Sequence, residues 1–166
     1  MVIPAQHPLI APAGVRPTVY QDKQRVFLAR IEARRTRHQT MDASALLAVL
    51  LNEPHRDAVV AVTAGATLCA PASLPWEMGN ALSASLKRRR FSLDIAQAAA
   101  TSFEKIPIRL VPVDLATALE LAHRHRLYAY DAYLLATCLA LRAPLLTLDQ
   151  SLHKAAVATR ISVLEV

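Results

Sequence analysis

From Met41 onward the apolar positions switch repeatedly between a helical and a strand-like period. The apolar run after Asp42 predicts a helix over Ser44–Leu51, and Pro54 opens a second helix to about Ala64. Thr67–Ala70 has the length and character of a short strand. Leu74–Arg90 predicts a long helix with Pro75 in its first turn, where the missing N–H has no partner to lose. Ser92 stands as the N-cap of a helix to about Lys105, and Ile108–Val113 follows as a strand. Asp114 caps a helix to about Arg126, and Tyr130–Leu141 is helical. Leu145–Leu148 predicts a strand, Gln150–Ala158 a helix, and Ile161–Glu165 a last strand. Strands alternating with helices predict an α/β domain whose parallel sheet is covered on both faces. In such a sheet ligands sit beyond the carboxyl ends of the strands.

The text before Met41 is of another kind. Residues 1–20 carry Pro4, Pro8, Pro12 and Pro17 without a clear period, which predicts an extended or flexible arm. Residues 22–38, DKQRVFLARIEARRTRH, predict a basic amphipathic helix. The expected organisation is an N-terminal extension over 1–40 and a domain over 41–166. A start assigned upstream of the true one, near Met41, also fits the break in composition.

With 166 residues, 54% of them hydrophobic, the chain has enough apolar material for one well-buried core. The formal charge of +6 and a pI near 9.8 fit a polyanionic partner such as nucleic acid, and equally a protein that is merely basic. Cys69 and Cys138 lie in apolar stretches far apart and read as reduced thiols of a cytoplasmic protein. The start lacks the basic-then-apolar order of a secretory signal. The longest uncharged stretch, Ala58–Trp76, is too broken by polar residues and proline to cross a membrane. With only 3 glycines the chain has no phosphate-cradling loop and no dinucleotide fingerprint. No serine-nucleophile elbow is present, and His123 and His125 are spaced so that they do not share a helix face.

Four of the 13 acidic residues stand apart. Asp42, Glu77, Asp131 and Asp149 each lie in a strongly apolar segment with no cation close by in sequence. Burying an unpaired carboxylate is costly, and several at one place raise each other's pKa. A hard divalent cation such as Mg²⁺ or Mn²⁺ resolves that conflict with oxygen ligands. The competing reading is local. Asp42, Asp131 and Asp149 each stand near a helix start, where any one of them could be a simple N-cap, the role we assign to Asp114. Glu77 falls inside a helix and has no such explanation. Ser44, Asn80 and Thr147 stand at short offsets from Asp42, Glu77 and Asp149, where they could hold ligands or waters, or serve capping and packing.

The segments MDASALLAVLLNEP, PWEMGNAL and YAYDAYLLATCLALRAPLLTLDQSLHKAA resemble the PIN-domain ribonucleases, specifically the VapC-type toxins of bacterial toxin–antitoxin pairs. The resemblance runs from Met41 to Val166. It implies a PIN-like three-layer α/β/α fold around a short central parallel sheet. It implies a catalytic quartet of Asp42, Glu77, Asp131 and Asp149, with Asp42 and Asp131 as principal metal ligands. Glu77 and Asp149 would complete the shell, hold a second metal or orient water. It further implies Mg²⁺- or Mn²⁺-dependent cleavage of RNA, a homodimer, and a cognate antitoxin inserted into the groove. Lys87, Arg88, Arg89 and Arg90, at the end of the helix that carries Glu77, are the candidates for phosphate contact; a solvated helix end is the alternative.

The chain departs from the family pattern in two places. RHQTM, ahead of Asp42, is too polar for the expected central strand. The leader of about 40 residues is unusual, and an antitoxin-like, RNA-binding or artefactual segment would each fit. Two functional readings follow: a metal-dependent nuclease, or a catalytically weak or inactive PIN-like module that binds RNA or protein.

Overall fold

The computed structural model describes residues 37–166, so the expected arm and most of the basic helix lie outside the described residues. Strand β1 (His38–Met41) leads into helix α1 (Ala43–Leu50), and α2 (Arg56–Thr63) returns the chain to β2 (Thr67–Pro71). Helices α3 (Leu74–Lys87) and α4 (Leu93–Phe103) precede β3 (Ile108–Val111). Helices α5 (Leu115–His125) and α6 (Ala129–Leu141) precede β4 (Leu145–Leu146), and α7 (Gln150–Ala158) follows.

The four strands form one parallel sheet in the order β3-β2-β1-β4. Its two faces are covered separately. Met41, Leu46, Val59, Leu74 and Met78 form a core with the early helices, while Leu121, Leu134, Leu135, Leu152 and Ala156 form a second core with the late ones. This is the three-layer α/β/α arrangement expected from the alternating pattern. Helix α6 is apolar around its circumference because it is buried from several sides; Leu134, Leu135, Thr137 and Cys138 are all inaccessible.

The polar segment before Asp42 overturns an expectation. HQTM is a strand at the centre of the sheet, with Thr40 paired to Cys69 on one side and Leu145 on the other. Thr40 is 0% and Gln39 6% exposed. His38, expected at the end of a helix, begins this strand. Local compensation makes it possible. The Gln39 amide donates to the Val62 carbonyl at 3.0 Å, His38 Nδ1 lies 3.3 Å from Cys69 Sγ, and Thr40 brings the β-branched shape that strands favour. Gln39 Oε1 and Thr40 Oγ1 have no hydrogen-bond partner among the described residues.

Three boundaries also shift. The long helix ends at Lys87 rather than Arg90, because Arg89 turns to φ 53° and the Arg90 N–H closes back on the Ser85 carbonyl at 3.1 Å. The strand expected over Leu145–Leu148 holds only two residues, since Thr147 and Leu148 turn into side-chain hydrogen bonds. The strand expected over Ile161–Glu165 is a single bridge, Leu145 to Val163, made by two backbone hydrogen bonds to Leu145.

Candidate carboxylate site

The carboxyl ends of β1 and β4 meet where Asp42 and Thr147 leave the sheet. Asp42 occupies the N-cap position of α1, yet its side chain makes no capping bond. It is 4% exposed and accepts hydrogen bonds from two hydroxyls instead. Ser44 Oγ and Thr147 Oγ1 both donate to Asp42 Oδ2, the latter at 2.7 Å. Each hydroxyl also accepts a backbone N–H from the segment after β4: Leu148 to Ser44 Oγ at 2.9 Å, and Asp149 to Thr147 Oγ1 at 3.0 Å. The backbone around Asp149 is thereby tied to Asp42. Asp149 is exposed and does cap its helix, with Oδ1 accepting from Ser151 at 2.6 Å and Leu152 at 3.0 Å. The cap and the approach to the other carboxylates therefore coexist in one residue. Asp114, given the capping role alone, accepts from Ala116 N–H at 3.2 Å and from Thr117 Oγ1 at 2.7 Å.

Glu77 lies in the first turn of α3, half-buried, and its Oε2 is enclosed without a hydrogen-bond partner among the described residues. Burial pushes its carboxyl up to about 8, helped by the charges of Asp42 and Asp131. Asp131 lies in the first turn of α6, and its carboxyl is also raised, first by burial and then by the charges of Asp149 and Asp42. The four acidic residues thus feel one another, across elements as far apart in sequence as α1 and α7. No basic side chain neutralises them: among the described residues the one ion pair joins Arg56 to Asp57. Nor are they drawn into a closed cage. Among the described residues no group of three or more His, Cys, Asp or Glu is placed to hold a metal ion. Mutual repulsion accounts for like charges that share a field without sharing a coordination sphere.

Asn80 sits one helical turn beyond Glu77, exposed, and does not bond a carboxylate. Its amide donates to Tyr130 Oη at 3.2 Å. Tyr130 precedes Asp131 and meets the Tyr133 ring edge-on, at 6.2 Å between centroids. Sequence reasoning passed over Tyr130, although its place beside Asp131 in an aromatic pair was the available signal. Lys87, Arg88, Arg89 and Arg90 are all exposed at the far end of α3. At 1.5 Å per residue they stand roughly 15 Å along the axis from Glu77. Cys69 and Cys138 are free and buried, as their apolar settings implied. No helix among the described residues is long and apolar enough to cross a membrane.

In donor chemistry the site suits a hard cation: carboxylate oxygens, two hydroxyls and one enclosed oxygen without a partner. Comparison with known proteins bears on what such a site belongs to. A family model described as the PIN domain matches residues 40–158. The fold is similar to the crystal structure of PAE2754 from Pyrobaculum aerophilum, with a TM-score of 0.56 and 22% sequence identity over 71% of this chain and 78% of that one. At that identity the likeness is one of fold. No curated protein matches the sequence.

Proposed function

We propose that this chain, which belongs to the PIN-domain family, is a divalent-metal-dependent endoribonuclease acting through the carboxylate site. The observation that carries this reading is Glu77. An enclosed carboxylate oxygen with no partner, beside Asp42 and within the field of Asp131, makes sense as a ligand or a water-orienting group. Asp42 and Asp131 would hold Mg²⁺ or Mn²⁺, with Glu77 and Asp149 completing the shell. When bound, the cation activates water and neutralises charge on the phosphoryl oxygens under attack. The protein's part is positioning. Ser44 and Thr147 fix the rotamer of Asp42, so that its orientation is set before substrate arrives. Lys87 and Arg88–Arg90 would meet the RNA backbone away from the carboxylates, where like charge does not repel it.

A second reading has its own observation. As the side chains stand, no three of them form a ready metal cage. On placement alone that favours a catalytically weak or inactive PIN-like module that binds RNA or protein. The nuclease reading rests on the chemistry of the carboxylate site and the family.

The resemblance to VapC-type toxins supports a finer proposal: a toxin of a toxin–antitoxin pair, working as a homodimer, whose cognate antitoxin occupies the acidic groove. The deciding experiment incubates the purified full chain with structured RNA and Mg²⁺ or Mn²⁺, alongside Asp42→Asn and Asp131→Asn. Metal-dependent cleavage lost in both variants supports the nuclease. Equal cleavage by all three removes it, and metal-independent RNA binding without turnover selects the binding module.

A further inference from the structure

A cavity of about 530 Å³ opens at the end of the sheet opposite the carboxylates. Its place follows from the chain path: Pro144 precedes β4, whereas Thr147 and Asp149 follow it, and Arg142 lies beyond the end of α6 whose first turn holds Asp131. Ten residues of helix separate Asp131 from Arg142, roughly 16 Å. The cavity therefore lies apart from the acidic site.

Two arginines, Arg142 and Arg160, are among the residues that line it. Arg142 ends α6 at φ 50° and Arg160 follows α7 at φ 60°, both exposed and both in the left-handed region where glycine is the favoured residue. Neither pairs with a carboxylate among the described residues, and no acidic side chain lines the cavity. A cation beyond a helix C-terminus is ordinary by itself. Two of them lining one cavity, in a backbone conformation that disfavours their side chains, is less ordinary. Leu139, Ile161 and Leu164 supply an apolar lining beside Ser162.

We propose that this cavity binds an organic phosphomonoester, its phosphate held by Arg142 and Arg160 and its body seated on the apolar lining. Charge selects the class: a phosphomonoester carries close to two negative charges near neutral pH, matching two guanidiniums, where a carboxylate carries one. The volume suits a small organic ligand rather than an inorganic ion alone. A nucleoside monophosphate has this form, either free or as the 5′ end of an RNA.

The test titrates the full chain in EDTA with AMP, with adenosine, and with a short oligonucleotide bearing either a 5′-phosphate or a 5′-hydroxyl. The same titrations are run on the pairs Arg142→Gly with Arg160→Gly and Arg142→Gln with Arg160→Gln. Glycine suits both backbone positions, so the first pair is expected to melt no lower than wild type. The expected result is saturable AMP binding that weakens at least tenfold in both pairs, with no matching affinity for adenosine. A preference for the phosphorylated oligonucleotide identifies the RNA end as the ligand; its absence leaves the free nucleotide. Failure of AMP to bind at millimolar concentration, equal binding by the variant pairs, or equal binding of adenosine overturns the proposal. No cleavage is read, so the outcome stands apart from the nuclease question.

Discussion

Asn80 Nδ2 donates to Tyr130 Oη at 3.2 Å, joining the helix that carries Glu77 to the helix that carries Asp131. The two acidic residues are in one another's field partly because their helices are held together at this point. Tyr130→Phe and Asn80→Ala are each expected to cost about 0.5–1 kcal/mol, at the low end for a hydrogen bond because Asn80 is exposed. In a double-mutant cycle by urea denaturation the two losses should not add. Strict additivity would show that the hydrogen bond carries no coupling.

Thr147 serves two partners, donating to Asp42 and accepting from the Asp149 N–H. Thr147→Val keeps the shape and removes both bonds, leaving a buried carboxylate oxygen with one donor fewer. The expected destabilisation is about 1–3 kcal/mol, measured by chemical denaturation. Under the nuclease reading, metal affinity or cleavage should also fall roughly 10–100-fold, as for other residues that orient a ligand. Wild-type stability and activity in this variant would remove Thr147 from the site.

Glu77 sets a pH dependence whose sign can be worked out. Its carboxyl is raised to about 8 in the folded chain, above its ordinary value of 4.5. Between those values the folded state keeps a proton that the unfolded state has released, so stability falls as pH rises through that window. Asp131, raised as well, acts in the same direction. In EDTA the wild type should lose on the order of 2–3 kcal/mol between pH 5 and 8.5, allowing for partial exposure. Glu77→Gln should flatten much of that slope. A variant whose pH–stability curve overlays the wild type would show that Glu77 is not the group responsible.

The basic residues at the end of α3 are expected to act through charge alone. Replacing Lys87, Arg88, Arg89 and Arg90 by alanine should weaken RNA binding across sequences. The slope of log affinity against log salt should fall by roughly 1 for each phosphate that is no longer neutralised. The fold should be little affected, because all four side chains are exposed. An unchanged salt slope would leave them as a solvated helix end.

Most elements were legible because their signals are local. Asp114 before an apolar helical run marked the start of α5, and the even apolar character of Ala129–Leu141 marked a buried helix. The last expected strand misled for the same reason. Ile161–Glu165 has the composition of a strand, but it faces only two residues of β4, so a single bridge forms. Strand composition is local, whereas ladder length depends on the partner.

The candidate site divides along the same line. The sequence by itself determined which carboxylates were costly to leave unexplained, since apolar neighbours and missing cations can be read residue by residue. It could not determine that HQTM lies at the centre of the sheet, because the burial of Gln39 and Thr40 is imposed by strands on either side and eased by the Val62 carbonyl. Nor could it assign Thr147 to Asp42, 105 residues away, rather than to its near neighbour Asp149 alone. Tertiary structure decided those points, because a hydrogen bond between strand ends depends on the register of the sheet and not on distance along the chain.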